Sequence, residues 1–131
     1  MQTIDNQKKM SLDVRLETKK KRPVRCDHCW HEYMETETLY SANITHNLGK
    51  MASEAGIYQH LWRPEELRIK TAKRLIKPLE EGLWRLKSDP EHFKKFNADN
   101  GWGLYEHFVP FVEEYLEAIK MYPDSQVTTS R

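Results

Sequence analysis

The chain holds two cysteines, Cys26 and Cys29, spaced C-x-x-C in the stretch RCDHCWHE, with His28 and His31 beside them. Thiolate and imidazole are the ligands zinc favours, and a C-x-x-C turn offers two corners of a tetrahedral site. Cys26, Cys29 and His31 are therefore the candidate metal ligands, with His28 and His46 as further nitrogen donors and zinc as the candidate cofactor. The motif supplies half a site, because no second C-x-x-C follows and no pair of histidines stands at zinc-finger spacing. Around such a metal, Glu32 or Glu54 would serve as general base in a metal-dependent enzyme. Two free thiols packed near Trp30 are the plainer alternative.

A second group of polar residues lies in LYSANITHNLGKMASEAGIYQHLW, Leu39 to Trp62, where a strand pattern passes into a helix pattern. Ser41, Asn43, Thr45, His46 and Asn47 gather donors and acceptors at that entrance. Unpaired backbone N–H groups and the positive end of the helix dipole favour a polar or anionic ligand there. A third group is Asn100-Gly101-Trp102-Gly103, whose glycines let the backbone approach a neighbour closely, so that Trp102 is either a core plug or a ligand platform. Ser41, Asn43, Thr45, His46, Asn47, Asn100 and Trp102 are the candidate ligand-binding residues, and no residue is assigned a catalytic role. His46 and Trp102 are expected in one site.

The elements that must position these groups follow from periodicity. Leu12, Val14 and Leu16 alternate with Asp13, Arg15 and Glu17, which predicts a half-buried strand from about Ser11 to Glu17. β-Branched and aromatic residues from Tyr33 to Ile44 predict a second strand, and the first is expected to pair with its segment Glu35 to Tyr40. Asn43 or Thr45 can cap a helix carrying Leu48, Met51, Ala52 and Ala55, which Gly56 ends. A further helix opens at Arg63-Pro64-Glu65-Glu66 and runs through Ala72, Leu75, Ile76, Leu79, Leu83 and Leu86, kinked or divided near Arg74 by Pro78. Ser88-Asp89-Pro90-Glu91 starts a short helix. A last one spans about Leu104 to Tyr122, with Pro110 near its beginning, and the tail Ser125 to Ser130 has strand propensity. The expected fold class is α+β: a small antiparallel sheet of two or three strands packed against three or four helices.

Composition narrows the class of function. The 131 residues predict one domain, 1–131, with Met1 to Met10 as a flexible N-terminal tail. With 21 Lys plus Arg against 20 Asp plus Glu, the formal charge of +1 gives no global field for nucleic acid, membrane or an acidic substrate. The local basic run TKKKRPVR, with Lys19, Lys20, Lys21, Arg22 and Arg25, reads as a solvated loop, and a nucleic-acid contact is the sharper alternative that Glu32, Glu35 and Glu37 weaken. Apolar runs are only a few residues long and Met1 to Met10 lacks a signal-peptide core, so a cytoplasmic, non-membrane protein is expected.

The motifs T-H-N at Thr45 to Asn47, A-G-I-Y at Ala55 to Tyr58, N-G-W-G at Asn100 to Gly103 and the closing Ser130-Arg131 resemble those of short uncharacterised proteins of phage and bacterial genomes, over about residues 38 to 131. Gly56-Ile57-Tyr58 also resembles the opening of a GIY-YIG nuclease, but the second half of that motif does not follow. The first resemblance implies a phage or mobile-element context, where small proteins often neutralise a host partner, such as a defence protein, or sequester a small signalling molecule. The expected function is therefore non-enzymatic binding of a polar or anionic small ligand or a host protein, with a metal-dependent enzyme and a nucleic-acid-associated accessory protein as the rivals.

Overall fold

The computed structural model describes residues 11–19, 22–25, 27 and 30–131. Strand β1, Ser11–Glu17, lies where alternation places it, with Leu12, Val14 and Leu16 fully buried and Arg15 exposed. It is the middle strand of a three-stranded antiparallel sheet, flanked by β4, Thr38–Thr45, and β5, Gln126–Ser130. Leu12 faces Ile44, Val14 faces Ala42 and Thr129, and Leu16 faces Tyr40 and Val127. That register gathers the apolar side chains on one face, and each fully buried Leu or Val there contributes about 1.5–3 kcal/mol. The other face carries Ser11, Asp13, Arg15, Ser41 and Asn43, with Asn43 Nδ2 donating to Asp13 Oδ1 at 2.6 Å and Ser11 Oγ at 2.8 Å.

The single strand expected from Tyr33 to Ile44 is two. Its first part, β3, Glu32–Glu35, pairs with β2, Arg22–Arg25, in a separate two-stranded ribbon. Only β4 joins β1, so of the expected partner segment Glu35 belongs to the ribbon. The break has a non-local cause: Thr18 N donates to Glu37 O and Glu37 N donates to Thr18 Oγ1, each at 2.9 Å, which fixes the backbone where one sheet hands over to the other.

After β4, Thr45 Oγ1 accepts from Asn47 N at 3.2 Å and caps a 3-10 turn, His46–Leu48, that runs into α1, Gly49–Glu54. Gly56, at φ +79, ends this unit in the left-handed conformation. A short α2, Tyr58–Trp62, follows. The continuous helix expected from Arg63 onward is replaced by a 3-10 turn at Pro64–Leu67, a left-handed Arg68 at φ 58, an extended stretch in which Thr71 bridges Gln126, and a 3-10 turn at Ala72–Leu75. Helix α3 begins only at Ile76 and runs to Ser88, so Pro78 stands in its first turn, where its missing N–H would lack an intrahelical partner anyway. The expected division at Pro78 is thus a helix start.

Asp89 Oδ1 accepts from His92 N and caps α4, Pro90–Lys94. Helix α5, Tyr105–Met121, continues through Pro110 and buries Phe108, Phe111, Val112, Tyr115 and Ile119. It runs antiparallel to α3, with Lys87 paired to Glu113 at one end and Lys120 to Glu80 at the other. The result is an α+β fold, a three-stranded antiparallel sheet packed against helices. Among the described residues no helix is long and apolar enough to cross a membrane.

Candidate functional site

Strand β4 and the first half of α5 run side by side in opposite directions. At one end the Tyr40 ring stacks on Tyr115 with centroids 6.0 Å apart, and at the other Asn47 Nδ2 donates to the Trp102 carbonyl at 2.6 Å. Between them opens a cleft of about 1090 Å³. Tyr40, Ala42, Ile44 and Leu48 form one wall, and Pro110 and Phe111 form the other. The loop before α5 closes the Thr45 end, and Glu106, His107 and Glu114 stand on the helix side.

That loop is held by its own hydrogen bonds. Asn100 Oδ1 accepts from Trp102 N at 2.9 Å, Ala98 N donates to Gly103 O at 2.9 Å, and Asn97 Oδ1 accepts from Tyr105 N at 2.7 Å. Gly103, at φ +126, brings the backbone so near that a Cβ there would lie 2.9 Å from Asn47 Cβ. The backbone is thereby pinned while the indole of Trp102 remains 71% exposed, so Trp102 is not a core plug. A large aromatic face in water at a cleft mouth, on a fixed loop, suits stacking or cation contact.

The structure brings Asn43, Thr45, Asn47, Asn100 and Trp102 to this cleft. Asn43, Thr45, Asn47 and Asn100 each make a hydrogen bond that shapes the rim, to Asp13 and Ser11, Asn47 N, Trp102 O and Trp102 N respectively. Ser41 lies opposite Arg15 on the outer face of the sheet and does not line the cleft. His46 is also elsewhere. Its Nδ1 accepts from Trp62 Nε1 at 2.8 Å, and Trp62 is buried, stacked on Tyr58, with its carbonyl accepting from Arg131. His46 and Trp102 therefore do not share the cleft.

Tyr40, Glu106, His107, Pro110 and Glu114 carry no signal in the polar clusters of the sequence. The spacing Glu106, Pro110, Glu114, which repeats every four residues on one helix beside the N-G-W-G loop, was the available clue. Burial, and then the nearby Glu114 carboxylate, push the Tyr40 hydroxyl above its ordinary range, so it stays a neutral hydrogen-bonding group. None of the described residues lining the cleft is Lys or Arg.

Cys26, Cys29 and His28 lie outside the described residues, as do Lys20, Lys21 and the expected tail Met1 to Met10. His31 is exposed, and among the described residues no group of three His, Cys, Asp or Glu is placed to hold a metal ion. Glu32 pairs with Arg25 at 2.8 Å, and Glu54 pairs with His92 Nε2 at 2.7 Å. Arg25, one of the basic run, also lies over the Trp30 ring at 5.8 Å. No protein-family model, curated protein or solved structure matches this chain.

Proposed function

We propose that the protein is a non-enzymatic binding protein, and that the cleft between β4 and α5 receives a polar, positively charged ligand or partner segment. The observation that carries this reading is Trp102, whose indole stands in water at the cleft mouth while its backbone is fixed on both sides. The rim polar groups are bonded to one another, which gives a preformed shape rather than a set of reactive groups. Glu106 and Glu114 on the helix side disfavour the anionic ligand that the strand-to-helix entrance suggests from sequence, since like charges in a partly desolvated cleft repel. The entrance itself is a three-residue 3-10 turn before a six-residue helix, and Asn47 N is already bonded to Thr45. In the phage or mobile-element context implied by resemblance, the occupant would be a host protein segment or a small cationic molecule.

A fragment titration followed by NMR tests this. Tetramethylammonium and arginine methyl ester should shift the Trp102 indole N–H and the amides of Asn43 and Thr45, whereas acetate and phosphate should not. Trp102→Ala should abolish the response with a stability change within about 0.5 kcal/mol, as for other exposed positions. Equal response to anions, or none to cations, would overturn the reading.

A further inference from the structure

Strand β4, TLYSANIT, is an edge strand: β1 pairs with one side of it, and no described strand pairs with the other. In an antiparallel sheet every second residue of such a strand points its N–H and C=O away from the partner, so β4 presents a row of backbone groups that no described strand pairs. Edges are ordinarily blunted by lysines, prolines or bulges; β4 contains no charged residue and no proline, and its one register shift, at Leu39, lies near its start and leaves Tyr40 to Thr45 in regular pairing with β1. The cleft is lined from both faces of β4, by Tyr40, Ala42 and Ile44 on one and by Asn43 and Thr45 on the other, and so reaches around this side.

Charge and length specify what fits. Glu106 and Glu114 are exposed and have no ion-pair or hydrogen-bond partner among the described residues. Eight helical residues separate them by about 12 Å along the α5 axis. In an extended chain, side chains four residues apart lie on the same face about 13–14 Å from each other. The antiparallel course of β4 and α5 keeps the two carboxylates in line with the strand, Glu114 at its Tyr40 end and Glu106 towards the Trp102 loop.

We infer that the occupant of the cleft is an extended basic peptide segment of a partner protein, which adds to the free edge of β4 as a fourth strand and sets two Lys or Arg side chains, four residues apart, against Glu106 and Glu114. The residue midway between them packs on Pro110, Phe111 and Tyr40, and Trp102 covers one basic side chain by cation–π contact. This rests on the binding reading above and names its partner. A cleft of about 1090 Å³ is large for a single small cation and suits a peptide of several residues.

The test is an array of capped, fluorescently labelled heptapeptides with Lys at the second and sixth positions and the fourth position varied among apolar residues. Members should bind by anisotropy, more weakly as salt rises, and bound peptide should slow amide hydrogen exchange within β4. Glu106→Gln with Glu114→Gln should weaken binding about tenfold or more, because the exposed carboxylates are the cationic partners. Peptides with Glu in place of both lysines should not bind. Binding that is indifferent to the double substitution, or that leaves exchange in β4 unchanged, overturns the inference. If arginine methyl ester still shifts the Trp102 indole while no peptide binds, the strand-addition inference falls and the binding reading stands. If neither probe acts, both fall.

Discussion

Asn47 Nδ2 donates to the backbone carbonyl of Trp102 across 2.6 Å, joining the turn after β4 to the loop before α5 through residues far apart in sequence. The bond ties the mouth of the cleft to the edge strand, so the position of the indole depends on the same turn that Thr45 caps. Shape at this site is therefore set by backbone-directed hydrogen bonds, and the aromatic face is left exposed.

Two glycines in that loop should respond differently to the same change. At Gly103 an added Cβ would stand 2.9 Å from Asn47 Cβ at φ +126, whereas at Gly101, φ +80, it would meet nothing within 4 Å. Gly101→Ala should cost on the order of 1 kcal/mol for the left-handed conformation alone. Gly103→Ala should cost more, on the order of 2–3 kcal/mol, and should displace Trp102. Urea unfolding of the two variants measures the difference, and equal costs would show that the Asn47 contact is relaxed in solution.

His46 should behave as a structural residue. Its Nδ1 is the acceptor for Nε1–H of the buried Trp62, so His46→Ala strands that donor and should cost on the order of 1–3 kcal/mol. Ligand affinity at the cleft should not change in the fraction that remains folded, and the effects of His46→Ala and Trp102→Ala should add. Coupling between the two substitutions in a binding titration would place them in one site after all.

How much of this was legible depends on how local each cause is. The alternation of Leu12, Val14 and Leu16 is a property of one strand, and β1 has the predicted ends. The Thr45 cap and the stop at Gly56 are local as well. The split of Tyr33 to Ile44 is not, since strand propensity is continuous there and the break comes from the pairing of Thr18 with Glu37. Likewise, nothing near Arg68 in sequence announces a left-handed residue. The stretch after it is extended because Thr71 pairs with Gln126 at the far end of the chain. At the cleft, polar and glycine-rich clusters pointed to Asn43, Thr45, Asn47, Asn100 and Trp102. Polarity could not tell which way the His46 ring turns, and the contribution of Glu106 and Glu114 depends on which face of α5 meets the sheet.

Tyr115 offers a test of the core beneath the cleft. Its side chain is fully buried and its hydroxyl has no hydrogen-bond partner among the described residues, while burial and then the nearby Tyr40 hydroxyl raise its pKa. Removing an unsatisfied buried group while keeping the ring should be neutral or stabilising, so Tyr115→Phe should change unfolding free energy by about 0 to +1 kcal/mol. Tyr115→Ala should instead cost about 3–5 kcal/mol through the lost ring and the cavity. A loss above about 1 kcal/mol for Tyr115→Phe would mean that the hydroxyl is bonded in solution.

His60 predicts a pH dependence whose sign can be worked out. Its Nδ1 is buried without a hydrogen-bond partner among the described residues, and burial pushes the imidazole below its ordinary value of 6.5. As pH falls through 6.5 the unfolded chain takes up a proton at this site before the folded protein does. Unfolding is then accompanied by proton uptake, so stability falls with pH in the window below 6.5, down to the lowered folded-state value, and levels off beneath it. Above 6.5 the contribution is fully present. His60→Gln removes the titration and leaves His92, His107 and the other imidazoles in place, so the difference between wild type and variant isolates this one group. That difference should be constant at alkaline pH and should move against the wild type as the solution is acidified from about pH 7 to about pH 5. Measured by chemical unfolding at each pH, curves that run parallel throughout would show that His60 is solvated in the folded protein and that its burial exerts no cost on the charged form.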